Sequence, residues 1–100
     1  MKPDFPIVTV EYLLTGAGNQ NKDQVVVRVD GHGSVFFSYG FPVARKVENP
    51  GPREPAVLLD PRYWRASTTT GRYRNAFLRE SGKETERKLK HGIYAESRLD

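Results

Sequence analysis

Between Ile7 and Val47 every apolar stretch is short, rich in β-branched or aromatic residues, and closed by glycine, proline or a polar cluster. That rhythm admits strands joined by tight turns and little else. Residues 7–14 form the first such run, with Val8, Val10, Tyr12 and Leu14 alternating onto one face. Residues 16–23 read as a polar loop and 24–29 as a second strand, in which Val25, Val27 and Val29 line up at period two. Asp30-Gly31-His32-Gly33 is a turn, because glycine tolerates positive φ, and residues 34–39 should return antiparallel. Gly40-Phe41-Pro42 turns the chain again into a fourth short strand over 43–47. Pro42 suits a turn or a strand start, since it lacks the amide that a ladder interior needs.

After Val47 the pattern changes. Residues 48–55 hold Pro50, Gly51, Pro52 and Pro55 and form a loop. Residues 56–59 are a short apolar strand ending at Asp60-Pro61. Beyond it the spacing becomes helical. Ser67 or Thr68 can cap a helix that begins near Thr70 and carries Tyr73, Ala76 and Phe77 on one face. Ser81-Gly82-Lys83-Glu84 has the form of a capping box, in which the serine accepts from the amide of residue 84 and the glutamate reaches back. The second helix, about 82–91, is supported by Glu84–Lys88 and Glu86–Lys90 pairs, has Leu89 as its one strong apolar anchor, and ends at Gly92. His91 complements the helix C-terminus. Residues 93–95 are either a last strand or a packed tail. The expected fold is α+β: one domain over 1–100, a small antiparallel β-meander of four to five strands with one or two helices from the C-terminal half packed on one face. The expected core is Val8, Val10, Val25, Val27, Val35, Phe37, Leu58, Trp64, Tyr73, Phe77 and Leu89.

Composition narrows the function. The chain of 100 residues has no cysteine, which excludes disulfide scaffolds, thiol nucleophiles and cysteine metal sites. No apolar run reaches the length of a membrane span or a signal-peptide core, so no membrane partner is expected. His32 sits between two turn glycines and His91 beside another, a poor basis for a metal site. Gly16-Ala17-Gly18 lacks the third glycine and the context of a dinucleotide fingerprint, and no Walker-type lysine follows. No serine stands in a nucleophile elbow, and Asp60 and Glu80 are not marked out as a catalytic pair. The reading is a protein without cofactor and without enzymatic activity.

Charge points to the second half. The net charge is +4, and residues 1–50 are balanced, so the excess lies in 51–100. Within Tyr63–Asn75, aromatics alternate with arginines and four hydroxyls precede a helix start. Arginines and free amides at a helix N-terminus favour anions, and Tyr63 or Trp64 could stack on a base. Alternatively Trp64, Tyr73 and Phe77 dock the helix on the sheet, the hydroxyls cap it and the arginines are solvated. The candidate binding residues are Arg62, Tyr63, Arg65, Arg72, Arg74 and Arg79.

Three motifs carry a resemblance: Ser38-Tyr39-Gly40-Phe41-Pro42-Val43-Ala44, Tyr63-Trp64-Arg65-Ala66-Ser67-Thr68-Thr69-Thr70, and Tyr73-Arg74-Asn75-Ala76-Phe77-Leu78. In this order they resemble a family of small bacteriophage-encoded proteins of unassigned function, over about residues 34–94. The loop at 49–55 is longer than in typical members. The resemblance implies a phage product acting in the host bacterial cytoplasm and supplies no reaction. Two partner classes follow: a host or defence-system protein complex that the protein modulates, or nucleic acid bound by the basic half.

Overall fold

The structure, a computed structural model, describes residues 7–100. It is α+β, with six strands in one mixed sheet and two helices. The strands are β1 (Val8–Leu14), β2 (Gln20–Val29), β3 (Gly33–Ser38), β4 (Phe41–Lys46), β5 (Val57–Leu59) and β6 (Tyr94–Glu96), and they lie side by side in chain order. Helices α1 (Thr68–Leu78) and α2 (Gly82–Lys90) fall between β5 and β6. All neighbours are antiparallel except β5 and β6, which run parallel because the two-helix crossover returns the chain in the same direction. The tail expected at 93–95 is therefore a sixth strand.

Turn chemistry sets the register. Gly33 opens β3 with φ of 96°, and a Cβ there would lie 2.0 Å from the Lys46 carbonyl oxygen, so only glycine fits between β3 and β4. The next hairpin turns at Tyr39-Gly40, both with positive φ, one residue earlier than the glycine and proline suggest. A bulge follows where Phe36 pairs with Ala44 and Phe37 with Pro42, and it places the consecutive residues Val43 and Ala44 both inside.

The core lies between the helices and one sheet face. It comprises Val26, Phe36, Val43, Ala44, Val57, Leu59, Trp64, Tyr73, Phe77, Leu78 and Tyr94, with Leu13 and Leu89 packed against it. Trp64, Tyr73, Phe77 and Leu89 are as expected. The strand residues are not: the helices cover the opposite face of the sheet. Val8 and Val10 are 56% and 55% exposed, and Val25, Val27, Val35, Phe37 and Leu58 are only half-buried. The buried face instead carries Gln24, Ser34 and Ser38 among its apolar residues.

The helices hold by their caps. Ser67 accepts from the amide of Thr70, and α1 starts at Thr68. Ser81 accepts from the amide of Glu84, one half of the capping box, but the Glu84 side chain pairs with Arg87 instead of reaching back. The expected Glu84–Lys88 and Glu86–Lys90 pairs are likewise replaced: Lys88 reaches Glu80 and Glu86 reaches Arg65. Glu80 collects three donors, Thr85 Oγ1 at 2.7 Å, Tyr94 OH at 2.7 Å and Lys88 Nζ at 2.8 Å. Burial opposes its charge, but these donors hold its carboxyl below the usual range. Burial and the bond to Glu80 together push the Tyr94 phenol up to about 12. This cluster ties the α1–α2 turn, α2 and β6 together.

Candidate functional site

The two segments singled out in the sequence, 38–44 and 63–70, meet at the N-terminal end of α1. The β3–β4 turn brings Ser38, Tyr39, Phe41 and Val43 against Tyr63, Ala66, Ser67 and Thr70, enclosing a groove of about 300 Å³. Ser38 and Thr70 share a buried hydrogen bond of 2.9 Å at its base and Ser67 donates to Thr70, so two of the four hydroxyls that look available in the sequence, Ser67 and Thr70, are already paired. Phe41 stacks on Tyr63 with ring centroids 4.9 Å apart. Tyr39 and Phe41 are nevertheless 54% and 52% exposed. Tyr39 also adopts φ of 52°, unusual for a bulky side chain, and such conformations concentrate where a surface is used. The groove thus offers exposed aromatic edges around an apolar floor, the composition of interface anchors.

The arginines do not form one patch. Arg62 is a structural clamp: its Nε and Nη2 donate to Asp60 at 3.0 and 2.8 Å, and Nη2 also reaches Asp100 at 2.7 Å. Its guanidinium lies over the Tyr63 ring, 4.7 Å from the centroid, so Arg62 stiffens the groove wall while its charge is spent on carboxylates. The buried Asp60 further accepts from the amides of Arg62 and Leu99. Hydrogen bonds from Arg62 hold its carboxyl far below the usual carboxylate range. Arg65 pairs with Glu86 at 3.0 Å and stacks on Trp64.

Arg74, expected as a solvated or phosphate-binding residue, is buried. It donates to the Trp64 carbonyl and to Asn75, and its guanidinium lies 5.3 Å from the centroid of the Trp64 ring. The reason is helical geometry: Thr70, Tyr73, Arg74, Phe77 and Leu78 form the stripe that faces the sheet. Only Arg72 and Arg79 of the expected set are exposed and make no ion pair among the described residues.

A second basic cluster was not singled out in the sequence. Arg28 on β2, Lys46 on β4 and Arg79 at the C-cap of α1 come together from three elements. Burial lowers the Lys46 pKa, and the charges of Arg79 and Arg28 lower it further. The alternation of β2 and β4 alone could have placed Arg28 and Lys46 on one face, but not Arg79 beside them. Among the described residues no group of three or more His, Asp or Glu could hold a metal ion. Among them, too, no helix is long and apolar enough to cross a membrane.

The model of a family of unknown function, DUF8033, matches residues 12–92, which includes both walls of the groove. The chain belongs to that family. No curated protein and no solved structure matches it. The DUF8033 match takes in every candidate binding residue and the whole helical half, but begins after the first four residues of β1.

Proposed function

We propose that the protein is a non-enzymatic accessory protein of a bacteriophage that binds and modulates a host or bacterial-defence protein complex in the host cytoplasm. The groove carries this reading: Tyr39, Phe41 and Tyr63 surround an apolar floor beside a helix start, and the hydroxyls of Ser38, Ser67 and Thr70 are paired with one another. Such a site suits an apolar or aromatic side chain presented by another protein. A charge reversal at Arg65 is a less informative test, because Arg65 pairs with Glu86. The test is capture from bacterial lysate, with and without nuclease, using the wild type and Phe41→Ser. A stoichiometric, nuclease-resistant complex weakened at least tenfold by Phe41→Ser is the expected result. Recovery of nucleic acid alone, or a complex indifferent to Phe41→Ser, would overturn the reading.

The basic cluster favours a second reading, nucleic-acid binding. Arg28, Lys46 and Arg79 make no ion pair among the described residues, and although Glu80 acts on Lys46 and Asp30 and Glu48 line the same hollow, the three like charges favour an added anion. Affinity would then fall steeply with salt, and Arg28→Ala with Arg79→Ala would flatten the salt slope by about two contacts. Binding that ignores salt would exclude it.

A further inference from the structure

The helices cover one face of the sheet, and among the described elements none covers the other, where only the tail residues Ser97–Asp100 come up beside Val29, Gly33 and Val35. On that open face the strand pairings build a grid. Val8 pairs with Val29, Val10 with Val27 and Tyr12 with Val25 across β1 and β2. Across β2 and β3, Val27 pairs with Val35, Val25 with Phe37 and Val29 with Gly33. Cross-strand partners share a face, so three rows of three stand side by side: Val8, Val29 and Gly33; Val10, Val27 and Val35; Tyr12, Val25 and Phe37. In a chain of which 28% is charged, none of these nine positions is charged. The molecule measures 44 × 36 × 21 Å, a slab whose broad side this face forms.

We infer that the occupant of this face is a second copy of the chain, packed sheet to sheet about a two-fold axis. Area is the first argument. Six strands about 4.8 Å apart, from about 10 Å long at β5 and β6 to about 34 Å at β2, present roughly 600 Å² in projection. A standard interface takes roughly 800 Å² of accessible surface from each partner, and a corrugated face exposes more than its projection. The apolar grid supplies the interface core. On the β4–β6 side the surface turns polar, with Arg45 and the tail residues Ser97, Arg98 and Asp100 around Leu58 and Leu99, as the rim of an interface requires.

Chemistry is the second argument. The grid has no charge, and its one hydrogen-bonding side chain, Tyr12, stands at a corner, so it carries no pattern that would select an unlike surface. It is complementary to another flat, uncharged β-sheet face, and an identical chain always supplies one. The central row, Val10-Val27-Val35, lets a two-fold axis pass near Val27, so each outer row meets the opposite outer row of the partner. Aligned sheet packing brings such faces to about 10 Å with interdigitated side chains. The groove lies on the helical side, so the dimer would present two grooves, and loss of either surface leaves the other intact.

The test is sedimentation equilibrium of the full chain at 1–100 μM (on the order of the concentrations that separate weak from stable association). The wild type should be a dimer. Phe37→Glu, on β3 and two strands from the sheet edge, should make it a monomer with an unchanged far-ultraviolet spectrum. Val10→Glu, at a site already half exposed, should do the same and guards against misfolding of Phe37→Glu. A monomeric wild type at the highest concentration overturns the inference. A dimer that survives both substitutions overturns it too, because an association through the β1 edge would tolerate a charge at Phe37.

Discussion

Replacing Asp60 by asparagine should cost a large share of the stability although the change is isosteric. The carboxylate is fully buried and accepts four hydrogen bonds: two from the Arg62 guanidinium, one from the Arg62 amide and one from the Leu99 amide. Asparagine keeps the shape but turns one oxygen into a donor. In either orientation that group faces the guanidinium and one backbone amide, Arg62 N–H or Leu99 N–H, donor against donor. Loss of a charge-assisted bond and burial of an unpaired donor together cost about 2–3 kcal/mol. For a domain of this size each kcal/mol moves the midpoint by about 4–8 °C, so the expected fall is roughly 10–20 °C at pH 7. The pH dependence gives a second check. The folded pKa of Asp60 is depressed, so its contribution is complete above the unfolded carboxylate value near 4 and is lost as pH falls below it. Thermal unfolding followed by circular dichroism should therefore show the two proteins far apart at pH 7 and drawing together towards pH 2. Midpoints that agree within about 3 °C at pH 7, well under the shift of even 1 kcal/mol, would refute the account of this site.

Two further substitutions probe buried polar groups. Gln24 is 0% exposed and its side-chain amide has no hydrogen-bond partner among the described residues, so Gln24→Met should stabilise the fold by about 1–2 kcal/mol, read from urea midpoints at constant m. Arg74→Ala removes the donor to the Trp64 carbonyl and one wall of the tryptophan site; it should cost about 2–4 kcal/mol and shift the Trp64 emission to longer wavelength.

The elements are largely legible in the sequence, because turn residues and caps act locally. The parity of the sheet is not. β2 and β3 carry Val25-Val26-Val27 and Phe36-Phe37, apolar on both faces, so alternation there does not distinguish the inner side from the outer. The polar residues that should mark the solvent side, Gln24, Ser34 and Ser38, lie on the helix-covered face, where Ser38 meets Thr70. The candidate site divides in the same way. Tyr63 stands out by its aromatic neighbours, but Phe41 and Tyr39 join it only through the β3–β4 turn. Arg74 reads as part of a basic run, yet its position four residues after Thr70 and four before Leu78 sets it in the buried stripe, a pattern the sequence does contain. The parallel pairing of β6 depends on a crossover whose path no local feature specifies.

That crossover orders events in time. The β1–β4 hairpins join residues close along the chain and can form on the microsecond scale of isolated hairpins. Val57 and Tyr94, the first partners of the parallel pair, are 37 positions apart (94 − 57) and meet only once both helices are laid down. Closing that long segment costs entropy before any contact rewards it. The last ladder to zip should therefore be β5–β6, and in native-state hydrogen exchange its amides should open before those of the β2–β3 hairpin, which makes the seam between the two halves of the chain the first place the molecule comes apart.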